Sequence, residues 1–248
     1  MTDRLHFQHG GSDYARHRPT YPPALAAALA GECGRTRLAV DVGCGTGQLS
    51  VLLAAHFDRV IALDPSASQI DAATPHEGVD YAVGAAERIA VADGAADLVV
   101  AAQAAHWFDL DAFYGEARRI AAPGAVLALV SYGVPEMEGA MGAVFARFYR
   151  GPLHDFFPEG RHHVEEGYRS LAFPFAERAL PHVVIERAWT WSQMEGYLRT
   201  WSATSQALKA GREDLVAREF ETLAAEWGAP ETERPVRWPV VGRLATLR

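Results

Sequence analysis

The sequence is poor in several features, and each shortage excludes a class of protein. Two cysteines, Cys33 and Cys44, are too few for a disulfide framework or a cysteine-rich metal site. Lysine occurs once, at Lys209, and the formal net charge of -8 argues against a nucleic-acid partner, whose phosphates favour basic surfaces. Apolar runs long enough to span a membrane are missing, as is the apolar core of a secretion signal. We therefore expect a cytoplasmic protein with no membrane partner.

The residues that are present predict an α/β protein with a sizeable core. Apolar residues make up 49% of the chain, and the length suits one large domain. Short apolar stretches alternate with segments of helical spacing, and strands are predicted at 37–43, 59–64, 79–83, 96–103 and 125–132. This alternation is typical of a parallel sheet with right-handed crossovers. The nearly continuous apolar run of the fifth strand suits burial on both faces.

The character of the chain changes after residue 132. Residues 137–175 are rich in aromatics, histidine and mixed charge, and residues 182–187 resemble another strand. Ser192 and Glu195 fit the S-x-x-E pattern of a capping box and predict a helix start. A later amphipathic helix is indicated by Val216, Phe220, Leu223 and Trp227, and a last strand is expected within residues 237–248.

Residues 41–47, DVGCGTG, place three glycines between the first strand and a helical pattern. Because glycines have no side chain, a ligand can approach the backbone of such a turn closely, and the turn can direct its amide groups at the ligand. The turn lacks the lysine of a phosphate-binding P-loop. Its spacing is G-x-G-x-G, so its third glycine comes one residue too early for the G-x-G-x-x-G motif of dinucleotide-binding proteins. Asp41, just before the turn, would repel a pyrophosphate at close range. It suits a ligand that carries an ammonium group, such as S-adenosylmethionine.

Asp64 ends the second predicted strand. A carboxylate at that place can accept hydrogen bonds from both hydroxyls of an adenosine ribose. NAD would satisfy the same position, so Asp64 supports an adenosine ligand without choosing one. The choice depends on Asp41 and on the short glycine spacing.

These stretches resemble the class I S-adenosylmethionine-dependent methyltransferases. The matching pieces are DVGCGTG at 41–47, ALDPS at 62–66, GAAERIAVADGAADLVV at 84–100 and AQAAHWFD at 102–109. Two further stretches, SDYARHRPTYPPAL at 12–25 and AAHWFDLDAFYGEARRIAAPG at 104–124, are similar to the branch with trans-aconitate-type small-molecule methyltransferases. APGA at 122–125 departs from the usual Pro-Gly-Gly turn, which should affect only loop geometry.

The resemblance implies S-adenosylmethionine as cofactor, S-adenosylhomocysteine as its product, and methyl transfer to a small molecule, with a carboxylate as one option. It also implies a Rossmann-like α/β fold, with a mostly parallel seven-stranded sheet, helices on both faces, the last strand antiparallel and an inserted cap. We interpret residues 1–248 as one methyltransferase domain. Its parts are an N-terminal lid and first helix (1–36), a cofactor-binding core (37–132), a cap over the acceptor pocket (133–180) and C-terminal strands and helices (181–248).

The resemblance further implies which residues contact the cofactor. These are Tyr14, Arg18, Asp41, Gly43, Cys44, Gly45, Thr46, Gly47, Asp64, Pro65, Ser66, Gln69, Ala86, Glu87, Gln103 and Ala104. Asp41 and the glycine turn would face the methionine part, Asp64 the ribose, and Glu87 the adenine. His106 is the candidate catalytic residue, as a general base or by positioning the acceptor. No metal is expected, because His162 and His163 with the glutamates after them do not form a recognised ligand set.

Several alternatives stay open, and methylation of RNA or protein is one of them, although the acidic charge disfavours RNA. The chain could hold S-adenosylmethionine or S-adenosylhomocysteine without turnover. It could methylate an oxygen, nitrogen or carbon of a non-acid small molecule, in which case His106 becomes a candidate base. A nicotinamide oxidoreductase is disfavoured by the glycine spacing and by Asp41. The sequence fixes neither the acceptor nor the oligomeric state.

Overall fold

The computed structural model describes residues 17–247. The first part runs α1 (Pro23–Gly31), β1 (Leu38–Val42), α2 (Gln48–Leu53), β2 (Arg59–Asp64), α3 (Ala67–Asp71), β3 (Val79–Val83), β4 (Ala96–Ala102), α4 (Leu110–Ile120) and β5 (Ala121–Tyr132). The second part runs α5 (Gly139–Tyr149), α6 (Arg161–Glu165), β6 (Glu177–Arg178), β7 (Val184–Trp189), α7 (Trp191–Arg199), α8 (Ser202–Lys209), α9 (Glu213–Trp227) and β8 (Arg234–Thr246). Within the described residues, no helix is long and apolar enough to cross a membrane.

The strands form one mixed sheet in the order β3-β2-β1-β4-β5-β8-β6, and β7 also pairs with β8. β1 to β5 are mutually parallel, and β8 runs antiparallel to β5. The predicted Rossmann-like class and the antiparallel last strand are therefore confirmed. The sheet has eight strands instead of seven, because β8 is 13 residues long. Its first half pairs with β7, and its second half pairs with β5 and the two-residue β6.

Helices cover the sheet on both faces, as β5 illustrates. Val126, Ala128 and Val130 are fully buried in one apolar cluster, which also contains side chains of α1, α2, α5, α7 and α9. Leu127 and Leu129 are fully buried in a second cluster with side chains of α4. Because successive strand residues point to opposite faces, a strand covered on both sides must be apolar at every position. This explains the continuous apolar run of the sequence.

Residues beyond β5 build an aromatic cluster around Trp201. We define this cluster as Phe145, Phe148, Tyr149, Phe157 and Trp201; the ring centroids of the other four lie 5.6–6.2 Å from that of Trp201. Large rings bury much apolar area and favour tilted or edge-to-face pairs of this kind. The cluster therefore ties α5 and the segment before α6 to the residues between α7 and α8.

The capping box predicted at Ser192 and Glu195 was wrong. Helix α7 begins at Trp191 with Thr190 as its N-cap residue, and the box is formed by Thr190 and Gln193. The backbone N–H of Thr190 donates to Gln193 Oε1 at 2.9 Å. T-x-x-Q and S-x-x-E satisfy the same free backbone N–H groups at the start of a helix. The sequence therefore contains two candidate capping boxes whose starts lie two residues apart. Glu195 instead accepts a hydrogen bond from Arg199 Nε at 2.9 Å, one helical turn later.

Candidate active site

The carboxyl ends of β1, β2, β4 and β5 meet at a cavity of about 300 Å³. Open α/β sheets bind their ligands at this edge. Of the predicted site residues, the cavity is lined by Arg18, Asp41, Gly43, Cys44, Gly45, Thr46, Asp64, Pro65, Ser66, Gln69, Ala86, Glu87, Gln103 and Ala104. Gly47 and His106 are not among the lining residues. Tyr14 lies outside the described residues.

The glycine turn is shaped by close contacts on two of its three glycines. Gly43 has φ +74°, and a Cβ there would lie 2.5 Å from the Cβ of Ala104. Gly47 has φ +81°, and a Cβ there would lie 2.1 Å from the hydroxyl of Tyr81. Gly45 differs, because the nearest atom to its hypothetical Cβ is Gln69 Oε1 at 3.8 Å. Packing therefore requires glycine at both ends of the turn, while the middle glycine keeps the cavity wall bare.

The backbone amides of the turn are held by the neighbouring strand. The N–H groups of Gly43 and Cys44 both donate to the carbonyl oxygen of Leu63, at 2.7 and 3.0 Å. The N–H of Gly45 donates to Asp64 Oδ2 at 2.9 Å. A phosphate-binding turn points such amides at its anion. The expectation that the turn aims free amides at a ligand does not hold for these three, and a pyrophosphate is disfavoured.

Asp64 is held rigidly at the end of β2. Besides the bond from Gly45, its Oδ1 accepts the backbone N–H of Ser66 at 2.9 Å. Ser66 in turn caps α3 by accepting the N–H of Gln69. Each carboxylate oxygen can accept more than one hydrogen bond, so both keep capacity for a ligand hydroxyl. The arrangement fits the two hydroxyls of a ribose.

Asp41 is a buried carboxylate with one unsatisfied oxygen. Its residue is 1% exposed, and Ser50 Oγ donates to its Oδ2 at 2.6 Å. Within the described residues, Asp41 Oδ1 has no hydrogen-bond partner. Burial raises the pKa of Asp41 from 3.8 to about 7; the Ser50 hydrogen bond opposes this and the charge of Asp64 adds to it. A buried acceptor without a donor is costly, and an ammonium group would remove that cost.

Cys44 lies in the turn but is not activated as a nucleophile. Burial raises the pKa of its thiol well above the ordinary value, and the charges of Asp41 and Asp64 raise it further. A reactive cysteine needs the opposite environment, one that stabilises the thiolate. Its place in the cavity wall is that of a small side chain.

Gln103 follows β4 in an unusual backbone conformation. Its φ is +56°, in the left-handed region that side-chain-bearing residues seldom adopt. Its backbone N–H donates to the carbonyl of Val130 at 2.8 Å, and its Nε2 donates to the carbonyl of Tyr132 at 3.1 Å. Strain of this kind persists where surrounding contacts impose it, often at functional sites. Both bonds fix Gln103 against β5 at the cavity wall.

Sequence reasoning left out several lining residues. They are Tyr21, Gln48, Leu49, Ala85, Ala102, Trp107, Phe108 and Tyr132. Tyr132 is the last residue of β5, so the rule that ligands lie beyond strand ends could have identified it. Trp107 and Phe108 lie between β4 and α4, where an aromatic side chain can equally pack beneath the helix. Nothing in the local pattern separates an aromatic that faces a cavity from one that faces the core.

His106 packs between two aromatic side chains. Its ring centroid lies 4.8 Å from that of Trp107 and 5.9 Å from that of Tyr168, and its Nδ1 is 3.3 Å from the Tyr168 hydroxyl. Burial lowers the pKa of His106 from 6.5 to about 4, and the charges of Arg161 and His163 lower it further. The imidazole is therefore neutral at pH 7.

The charged side chains that line the cavity differ in sign. Asp41, Asp64 and Glu87 line it beside the glycine turn and the β3 end, and Arg18 lines it as well. Arg18 is held by a hydrogen bond from its Nη2 to the carbonyl of Thr200 at 3.1 Å. In residues 17–247, no group of three or more histidine, cysteine or acidic side chains could hold a metal ion.

Comparisons with known proteins consistently find methyltransferases. The sequence profile of the methyltransferase domain family matches residues 40–129. The chain is 33% identical over 214 residues to a protein of Dictyostelium discoideum assigned as a methyltransferase, covering 85% of this chain and 81% of that one. A solved structure described as a type II methyltransferase from Anaeromyxobacter dehalogenans is 44% identical with a TM-score of 0.86, covering 93% of this chain and 98% of that one. An S-adenosylmethionine-dependent methyltransferase assigned in Saccharomyces cerevisiae is 26% identical, covering 75% of this chain and 66% of that protein.

Proposed function

Because the chain belongs to the class I S-adenosylmethionine-dependent methyltransferases, we propose that it methylates a small-molecule acceptor on a carboxylate oxygen. When bound, S-adenosylmethionine supplies an activated methyl group on a sulfonium and leaves as S-adenosylhomocysteine. The protein then has mainly to hold the two reactants close together and aligned. The trans-aconitate-type resemblance of the sequence supports the same choice of acceptor.

The observation that carries the proposal is the charge distribution of the cavity. The carboxylates of Asp41, Asp64 and Glu87 line the cavity together with the guanidinium of Arg18. Asp41, with its unsatisfied oxygen, is assigned to the ammonium group of the cofactor, and Asp64 to its ribose. Ser66, Gln69, Ala86 and Glu87 are assigned to the adenine side. Arg18 places a positive charge in the wall of the same cavity, which favours an anionic acceptor.

A carboxylate acceptor also matches the state of His106. A carboxylate is already ionised at neutral pH, so its methylation needs no general base. A phenol, amine or carbon acid would need one, and an imidazole whose pKa is about 4 is a weak base. We therefore assign His106 to positioning, through its contacts with Trp107 and Tyr168, and not to proton transfer.

The test uses purified protein, methyl-labelled S-adenosylmethionine, and a panel of small carboxylic acids, phenols and amines. Base releases label from methyl esters but not from ethers or methylamines, so the lability of the product reports the methylated atom. His106→Ala is run beside the wild type. His182→Ala, which removes an exposed histidine, serves as the matched control.

We expect base-labile label from one or more acids, with His106→Ala retaining turnover within about tenfold, since no general base is lost. Base-stable label that collapses in His106→Ala, but not in His182→Ala, would refute the carboxylate assignment and make His106 a base. Tight binding of the cofactor without turnover on any acceptor would favour a protein that binds the cofactor without catalysis.

A further inference from the structure

The cavity runs along the carboxyl edge of the sheet, from the end of β3 to the end of β5. The strand order is β3-β2-β1-β4-β5, so four strand spacings of about 4.8 Å separate these two ends by roughly 19 Å. Glu87 lines the cavity in the segment after β3, and Asp64 and Asp41 line it from β2 and β1. The carboxylates of the described wall therefore all lie at the end that we assign to the cofactor.

The opposite end of the cavity, beside β4 and β5, has an aromatic wall, which we define as Tyr21, Trp107 and Tyr132. Trp107 lies in the segment after β4, and Tyr132 is the last residue of β5. The rings of Tyr21 and Tyr132 pack edge to face, with centroids 5.9 Å apart, and both residues are buried. Gln103 Nε2 donates to the Tyr132 carbonyl and so fixes the end of β5. Large rings held in this way give the cavity a rigid, planar and apolar surface.

Arg18 lies on the same side of the cavity as the aromatic wall. Its guanidinium lies over the ring of Tyr197, 5.5 Å from the centroid. Trp238 Nε1 donates to the Tyr197 hydroxyl at 3.3 Å. Trp238 belongs to β8, which pairs with the end of β5 through Val240 and Tyr132. The positive charge of the described wall is therefore beside β5, and its negative charges are beside β1, β2 and β3.

This arrangement favours an acceptor with one carboxylate over an acceptor with several. Among the lining residues that the structure describes, Arg18 is the one that carries a positive charge. A second carboxylate would either lie unpaired against the aromatic wall or approach Asp41 and Asp64. Burial of an unpaired ion is costly, and like charges at close range repel each other. An uncharged planar body would instead pack favourably against the rings.

We propose that the acceptor is a monocarboxylic acid with a planar, apolar body, and that the aromatic wall selects this acid by packing against its body. The inference rests on the proposed function, because it takes the acceptor to be an acid that occupies this cavity. It goes further by disfavouring aliphatic polyacids and by making Tyr21, Trp107 and Tyr132 specificity residues. Their rings act in binding and take no part in the chemical step.

The test is a calorimetric titration of the protein saturated with S-adenosylhomocysteine. Cinnamate is the planar monoacid, and cinnamamide is its neutral counterpart. The acid 3-cyclohexylpropanoate has the same carbon skeleton with a saturated, puckered ring, and tricarballylate is an aliphatic triacid. Each probe is titrated into the wild type and into the variants described next.

The variants remove one ring of the aromatic wall at a time. Trp107→Leu and Tyr21→Leu keep an apolar side chain but lose the ring, and Trp107→Phe keeps a ring. Trp191→Leu is the matched control, because Trp191 is also half-buried but packs against Trp227 outside the cavity. Circular dichroism and thermal unfolding show whether each variant is folded. Tyr21→Leu carries the test if Trp107→Leu does not fold.

We expect cinnamate to bind the wild type about 3- to 10-fold more tightly than 3-cyclohexylpropanoate, the share that a ring pair contributes beyond buried area. Tricarballylate should bind at least about tenfold more weakly than cinnamate, since its further carboxylates find no partner. Cinnamamide should bind more weakly than cinnamate, because it lacks the charge that Arg18 favours.

The variants should change this order in a specific way. Trp107→Leu and Tyr21→Leu should each weaken cinnamate by about 5- to 10-fold and 3-cyclohexylpropanoate by less than about threefold, because only the planar probe loses a ring pair. Trp107→Phe should bind cinnamate within about threefold of the wild type, since a ring remains. Trp191→Leu should bind every probe as the wild type does.

Several results would overturn the inference. They are a wild type that binds no cinnamate, a triacid or a saturated acid that binds as tightly as cinnamate, and folded ring-loss variants that bind cinnamate like the wild type. Equal weakening of all probes by Trp107→Leu would reduce the ring to a structural role and would also overturn it. The proposed function fails differently: cinnamate then binds against the aromatic wall, yet labelled S-adenosylmethionine yields no methyl ester from any acid.

Discussion

Replacing Asp41 by asparagine should change how the stability of the protein depends on pH. The carboxyl is buried, and its pKa in the folded protein is about 7 against an ordinary value of 3.8. Between these values the folded state retains a proton that the unfolded state has lost. Stability therefore falls as pH rises through this window, the reverse of the usual effect of a carboxylate. Asparagine cannot ionise, so the variant should lack this component.

The magnitude follows from the two pKa values. Each pKa unit corresponds to about 1.4 kcal/mol, so complete titration costs roughly 4 kcal/mol of unfolding free energy. Between pH 5 and pH 8 the same linkage gives a loss of about 2.5 kcal/mol, because part of the cost falls below pH 5. Urea unfolding of the cofactor-free protein at pH 5, 6, 7 and 8 measures this loss. Asp71→Asn, which changes an exposed aspartate at the end of α3, is the control.

The wild type and Asp71→Asn should lose this stability between pH 5 and pH 8, while Asp41→Asn should not. Titration calorimetry with S-adenosylhomocysteine gives a second measurement, since an ammonium group favours the ionised carboxylate. Wild-type affinity should rise with pH through about 7, and Asp41→Asn should bind more weakly and without that rise. Parallel stability profiles for the wild type and Asp41→Asn would refute the assignment of a raised pKa to this residue.

Three further changes have defined outcomes. Gly47→Ala should lower the free energy of unfolding by about 1–3 kcal/mol, because the added Cβ would clash with the Tyr81 hydroxyl at a residue of positive φ. Gly115→Ala, on the exposed face of α4, should raise it by about 0.5–1 kcal/mol. Urea or thermal unfolding measures both, and equal effects would contradict the close packing of the turn. Thr190→Ala should destabilise by about 1 kcal/mol and Ser192→Ala hardly at all, and the reverse order would restore the original capping prediction. In a pH–rate series, kcat should show no inflection from His106 between pH 6 and pH 8, and one that vanishes in His106→Ala would contradict its low pKa.

The fold could be predicted where one physical constraint dominates the sequence. β1, β2, β4 and β5 have side chains in both apolar clusters, so their apolar runs and the helical spacing between them leave few alternatives. The sequence pattern predicted the structure of the C-terminal part less well. The position of the capping box depended on which of two overlapping patterns begins α7, and local chemistry satisfies either. β8 pairs with β5, β6 and β7, and these pairings join residues far apart in the sequence. The periodicity of apolar residues does not encode them.

The cavity wall beside the glycine turn could likewise be predicted, because its residues follow strand ends in a fixed order along the chain. Asp41, Asp64 and Gln103 all line the cavity, and a short motif marks each of them. The rest of the cavity wall could not be predicted in the same way. Tyr21 and Trp107 line the cavity from separate segments of the chain, and no motif marks either of them as a lining residue. The low pKa of His106 is also invisible in sequence, because burial and distant charges cause it.

The most direct test of a carboxylate acceptor follows the oxygen atoms. An acid that the enzyme methylates is prepared with heavy oxygen in its carboxyl group and incubated with S-adenosylmethionine and the wild-type protein. Base then cleaves the product between the acyl carbon and the ester oxygen, and mass spectrometry analyses the methanol released. Methanol that carries the heavy oxygen means that the carboxylate attacked the methyl group, as the account predicts. A methylated product that releases no such methanol would contradict it.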